Sequence, residues 1–202
     1  MSRRRGSVSL AALFVLALAL VEAAGVSQQQ AESFSRKLSI IEQHATDAAR
    51  SGAAPRRTPV TEAEVNSWFA YRSAEALPTG VTQPRITIVG NRQVVGTATV
   101  DLDAVAKSRA SGRVFDVWNL VGGRVPLTVT GLVHASGGRG RFEMQRAEMS
   151  GVPIPRRMIE ELVDYYSRTP DDPDGVRLDQ EFELPAGIQR IDLAPGTAVV
   201  VQ

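Results

Sequence analysis

From Pro84 to the C-terminus the chain runs as short segments of alternating apolar and polar residues, separated by glycine-bearing turns. Period-two alternation suits strands with one buried face, and such short turns suit hairpins rather than helical crossovers. Arg85 to Val89 and Gln93 to Leu102 flank the turn-prone pair Gly90-Asn91. Arg113 to Leu120 and Arg124 to Ala135 lie around Gly122-Gly123, and Arg141 to Met149 follows the turn Ser136 to Gly140. Two closing strands, Val176 to Leu184 and Ile188 to Val201, are interrupted by Pro185-Ala186-Gly187 and by Pro195-Gly196. The pattern predicts an antiparallel meander and not a βαβ repeat.

Helical spacing appears in three places. Between Gln28 and Arg50, Phe34, Leu38, Ile41, Ala45 and Ala48 recur at three- and four-residue steps. That face is thin and rich in alanine, so this segment is expected to dock weakly or to act as a stalk. Ser51 to Pro59 has glycine, two prolines and no apolar period, the composition of a linker. Thr61 with Glu64 forms a capping box that opens a second helix, with Val65, Trp68, Phe69 and Arg72 on one side. Asn66 lies on the same helix as a polar side chain without a partner visible in the sequence. Past Pro153 and Pro155, a third helix carries Met158, Ile159, Leu162, Val163 and Tyr166 as its apolar stripe. It ends at the polar turn Thr169 to Gly175. The sum is α+β: one antiparallel sheet of six or seven strands and two helices to cover it.

Ahead of all this stands a segment with the three parts of a secretion signal. Arg3, Arg4 and Arg5 are basic, Leu10 to Val21 is uninterruptedly apolar, and small residues follow, with cleavage expected around Ala23 to Gly25. As a helix the apolar run reaches about 18 Å, short of the roughly 30 Å hydrocarbon core. Export to the periplasm or cell envelope is therefore expected; a retained leader would make the protein membrane-anchored instead.

Without the leader, the 23 basic and 22 acidic residues become about 20 and about 21, close to neutrality. Such a balance lacks the basic stripe that phosphate neutralisation requires, so no nucleic-acid partner is expected. There is no cysteine, and His44 and His134 are the only imidazoles. No metal site and no cofactor is expected from that inventory. Asp101 and Asp103 share a face at a strand end, and with His134 they define the one hydrolase reading open to the chain. No G-x-S-x-G or cysteine nucleophile accompanies them, so strand-end and surface roles are the simpler reading. Gly137 to Gly140 lacks the pattern of a phosphate cradle and runs into a strand, as a hairpin turn does.

The order of motifs resembles that of a known group. Thr-Glu-Ala-Glu-Val-Asn at 61–66 is followed by Leu-Pro-Thr-Gly-Val-x-x-Pro at 77–84. Gly-Val-Pro-Ile-Pro at 151–155 leads into the third helix, and Leu-Pro-x-Gly-Ile-x-x-Ile-x-x-x-x-Gly spans 184–196. From about Pro59 to Gln202 the chain resembles the YpmS-like and LmeA-like bacterial envelope proteins, related to the tubular lipid-binding (TULIP) superfamily. The resemblance implies a strongly curved antiparallel sheet wrapped on a helix, with lipid held in the seam. Val152 to Tyr166 would supply that helix, and Leu184 to Val201 the closing strands.

Together these readings give a curved antiparallel sheet covered by two helices, preceded by a signal peptide and a helical extension. The divisions expected are 1–24 for the leader, 25–59 for the extension and linker, and 60–202 for the lipid-binding-like domain. The expected function is non-enzymatic: binding of a lipid or other apolar molecule between helix and sheet, with a membrane surface as an accessory partner. Trp118, Leu127, Val129, Met158, Ile159, Leu162, Val163 and Tyr166 are the expected ligand-binding residues. The alternatives are a structural or assembly factor of the envelope with a filled core, and the hydrolase built on Asp101, Asp103 and His134.

Overall fold

The computed structural model describes residues 25–51, 54–72, 77, 79–104, 123–167 and 177–202, leaving out the side chains of 48–51, 161, 162 and 164–167. The expected strand Arg113 to Leu120, with Trp118, lies outside the described residues, as does the leader. The elements are α1 (Gln28–Ser51), β1 (Arg57–Thr61), α2 (Glu62–Arg72), β2 (Val81–Gly90), β3 (Gln93–Asp101), β4 (Arg124–Ser136) and β5 (Arg139–Met149). They continue as β6 (Val152–Pro153), α3 (Arg156–Ser167), β7 (Phe182–Glu183), β8 (Arg190–Ala194) and β9 (Thr197–Val201).

The fold is α+β and antiparallel, as the alternation predicts. An open six-stranded sheet runs β2-β3-β4-β5-β6, with β7 also paired to β5. Its faces follow the period-two pattern. Val100↔Val125, Ala98↔Leu127 and Gly96↔Val129 place apolar pairs on one side, while Asp101↔Arg124, Thr99↔Pro126 and Thr97↔Thr128 fall on the other. Bulges between Thr82 and Arg85, and again at Thr130/Gly131, interrupt the ladder.

The hairpin turns are made by residues that accept a left-handed backbone. Asn91 (φ 52°) and Arg92 (φ 68°) close β2–β3, and Gly137 (φ 62°) and Gly138 (φ 74°) close β4–β5, the conformation that two-residue hairpins favour. Gly90 is therefore the last residue of the strand, one place before the turn expected of it. It serves a close approach: a Cβ there would stand 2.9 Å from Pro195 Cδ.

Three expectations need correction. The closing segment Ile188 to Val201 is not one strand but the hairpin β8–β9, turned by Pro195-Gly196. It pairs with β1 in a second, three-stranded sheet of order β1-β9-β8, apart from the meander. The segment read as linker thus includes a strand, Arg57–Thr61, and position 59 lies in its middle.

Nor does α1 behave as a loosely docked stalk. Ala31 is fully buried, and Phe34 meets Trp68 edge-on at 6.0 Å. Further along, Ile41 packs with Ile188 and Val200, and Gln202 Nε2 donates to Ile41 O at 2.8 Å. The small side chains that made this face look weak let α1 approach α2 closely. Ser67, also fully buried, accepts from Ser27 N–H at 3.1 Å and lies 2.9 Å from Gln30 Oε1.

Glu64 fastens the two helices. In the capping box Glu64 N–H donates to Thr61 Oγ1 at 3.2 Å, and Thr61 N–H donates to Glu64 Oε2 at 2.8 Å. Ser33 Oγ donates to Glu64 Oε1 at 2.6 Å, and Lys37 Nζ lies at 2.7 Å. Burial pushes the Glu64 carboxyl upward, but Lys37, Ser33 and the Thr61 N–H outweigh it and hold it below its usual value.

Candidate functional site

Ile159 and Val163 of α3 face the apolar side of the sheet. Ile159, 4% exposed, packs with Met144 and Ala147 of β5, and Leu127, Val129 and Val163 close around them. Met158 is half-buried. Phe142, Ile154 and Leu178 complete the cluster. Four of the expected ligand-binding residues, Leu127, Val129, Ile159 and Val163, are thereby brought together in one packed cluster. Trp118 and the side chains of Leu162 and Tyr166 lie outside the described residues.

The residues of the hydrolase reading do not converge. Asp101 Oδ1 accepts Ala104 N–H at 2.9 Å, capping the turn after β3, and Arg124 stands 3.5 Å away. The Ala104 amide and the Arg124 guanidinium hold the Asp101 carboxyl below its usual value. Asp103 Oδ2 accepts Gly123 N–H at 3.1 Å. His134 stands at the other end of β4, on the order of 30 Å along the strand from Arg124. There it lies between Glu143 Oε2 at 3.1 Å and Arg92 Nη1 at 3.3 Å. Among the described residues no group of three His, Asp or Glu side chains is placed to hold a metal ion.

Among the described residues a cavity lies elsewhere. A cleft of about 700 Å³ separates α2 from the β2–β3 hairpin. Phe69 and Ala70 of α2, with Val26 and Leu77, form one wall, and Val81, Pro84 and Pro126 contribute apolar surface opposite. Thr82, Gln83, Thr97 and Thr99 add hydroxyl and amide groups. A second cleft of about 420 Å³ adjoins it, shares Val26, Asn66 and Arg85, and reaches Glu62 and Gly196.

Asn66 sets the shape of this site. Its side-chain amide donates to Ile86 O at 2.9 Å and accepts Ile86 N–H at 2.7 Å, standing in for a neighbouring strand. Glu62 Oε2 accepts Ile88 N–H at 2.8 Å, and Gly196 N–H donates to Ile88 O at 2.8 Å. The outer edge of β2 is thus satisfied by side chains and a turn, which leaves room beside it that another strand would have filled.

Sequence reasoning missed Phe69, Gln83 and the threonines of β3 as cavity residues and left Asn66 without a partner. The available signal was Pro84: a proline between strand-forming residues marks an edge strand or a bulge. Comparison with protein-family models, curated proteins and solved structures finds no match to this chain.

Proposed function

We propose that this is an exported, non-enzymatic binding protein of the cell envelope that takes a lipid or other apolar molecule in the cleft between α2 and the β2–β3 hairpin. The cleft carries this reading: about 700 Å³ with apolar walls and a few polar groups on one side. That volume falls in the range of roughly 300–1,000 Å³ typical of small-molecule sites. Each methylene transferred from water to such a wall contributes about 0.8 kcal/mol, so an acyl or isoprenoid segment needs no catalytic or metal group to be held. Export rests on the leader, Arg3 to Val21. The packing around Ile159 favours α2 over α3 as the ligand-bearing helix. It also keeps a structural or assembly role as the second reading.

The test is titration with a fluorescent fatty acid, comparing wild type with Ala70→Trp, which places a large side chain into the cleft from an exposed helical position. The expected result is saturable binding to wild type and its loss in the variant at unchanged melting temperature. Equal binding by both proteins would remove the ligand from this cleft. No binding by wild type would leave the assembly role.

A further inference from the structure

We propose that the ligand of the α2–β2 cleft is an amphiphile with an anionic head group, a carboxylate or a phosphate, and that Arg85 receives that head. The inference rests on the binding function proposed above and adds the chemistry of the ligand's polar end.

Arginines are frequent on these sheets, and they are paired. Arg124 faces Asp101, Arg139 faces Glu181, Arg141 faces Glu143 and Arg146 faces Glu148. Arg57 and Arg190 share Asp192, and Arg92 meets His134. Arg85 is the exception: among the described residues its exposed guanidinium has no hydrogen-bond or ion-pair partner. Among the described residues it is also the one arginine lining either cleft, and it lines both.

Its position is built by an irregularity. Thr82 pairs with Thr99 and Arg85 with Thr97, so Gln83 and Pro84 together stand opposite Ala98. Gln83 adopts φ 53°, a left-handed conformation uncommon for a residue with a side chain. Bulges of this kind re-aim the side chains that follow them. Upstream the bulge is held by the Thr82↔Thr99 pair, and immediately downstream Asn66 grips both backbone groups of Ile86. Gln83, Pro84 and Arg85 all line the larger cleft.

The surroundings suit an anion with an apolar tail. The Thr97 hydroxyl lies along the same wall and can donate to a bound oxygen, while those of Thr82 and Thr99 donate to Thr99 O and Gln83 Oε1, each at 3.4 Å. Among the described residues the one carboxylate lining either cleft is Glu62, in the smaller one, and its Oε2 accepts Ile88 N–H. Phe69, Ala70, Leu77 and Val81 are left for the tail. A guanidinium pairs with carboxylate or phosphate through two parallel hydrogen bonds, which gives both affinity and orientation.

Isothermal titration of the exported protein with dodecanoate, dodecyl phosphate and neutral dodecyl maltoside, each below its micellar concentration, tests this. Wild type should bind the better of the two anions about tenfold more tightly than the maltoside. Whichever anion binds more tightly names the head group. Arg85→Gln should lose that preference while retaining maltoside affinity and melting temperature, and Arg85→Lys should recover part of it. Equal affinities for all three probes in wild type, or an anion preference that survives in Arg85→Gln, would overturn the assignment and leave apolar binding standing. Absence of binding by any probe would overturn both.

Discussion

Asn66 and Ile86 are joined by a reciprocal pair of hydrogen bonds, at 2.9 and 2.7 Å, in which one side-chain amide meets both backbone groups that a neighbouring strand would have met. An unpaired strand edge is a site for aggregation or strand addition, and the usual remedies are charge, proline or a covering element. Here the covering element is a helix, and Asn66 together with Glu62, which accepts Ile88 N–H, aligns it. The six-stranded sheet treats its other edge in a related way: Asp179 N–H donates to Phe142 O at 3.2 Å while its Oδ1 accepts Met144 N–H at 3.3 Å.

Replacing Asn66 with alanine should therefore remove two hydrogen bonds and leave a half-buried backbone pair unmet. The expected loss is about 1–3 kcal/mol by urea denaturation, with faster hydrogen exchange at the Ile86 amide. Asn66→Asp, which can still accept Ile86 N–H but cannot donate to Ile86 O, should fall between. A loss under about 0.5 kcal/mol for Asn66→Ala would mean that the amide pair contributes little.

Glu64 gives the fold a sensitivity to acid. Its carboxyl is held below the ordinary value, so its contribution to stability is complete above the unfolded value of 4.5 and is lost as pH falls through the lower folded value. Unfolding free energy should drop as pH is lowered from about 4.5, and the Glu64→Gln variant should lose part of that slope. Lys37→Met should weaken the same dependence. A Glu64→Gln protein with the wild-type pH profile below 4.5 would assign the acid sensitivity to other carboxylates.

Ile159 lies in the packed seam and lines neither cleft. With 4% of its surface exposed, truncation to alanine should cost about 2–5 kcal/mol while leaving fatty-acid binding in the folded fraction unchanged. Loss of binding at near-normal stability is the contrary result, and it would return the ligand to the seam beneath α3.

The leader makes a prediction of its own. Protein recovered from outside the cytosol should have an intact mass that begins between Ala23 and Gly25. A mass that still includes Met1 to Val21 would show an anchored form.

Much was legible in the chain because it is local. Alternating apolar residues reported strands whose faces differ, Gly137-Gly138 reported a hairpin, and Thr61 with Glu64 reported a helix start that is met atom for atom. The capping box depends on residues three apart, and a hairpin turn on two backbone conformations, so neither needs the rest of the molecule. The stripe of α3 was equally plain, although periodicity alone does not distinguish a filled seam from an open one.

What only the tertiary structure decided are relations between distant segments. Arg57–Thr61 becomes a strand because the C-terminal hairpin brings β9 beside it, a partner far away in sequence that no local propensity announces. The thin face of α1 binds firmly because Ala31 and Ser67 are small, and close approach rewards small side chains that a count of large apolar residues passes over. The cleft exists because side chains of α2, rather than another strand, satisfy the edge of β2 beside a bulge. Hydrophobic patterning determines which residues seek burial. Which segments meet, and where they leave space, is set by backbone hydrogen bonds that must all find partners in three dimensions.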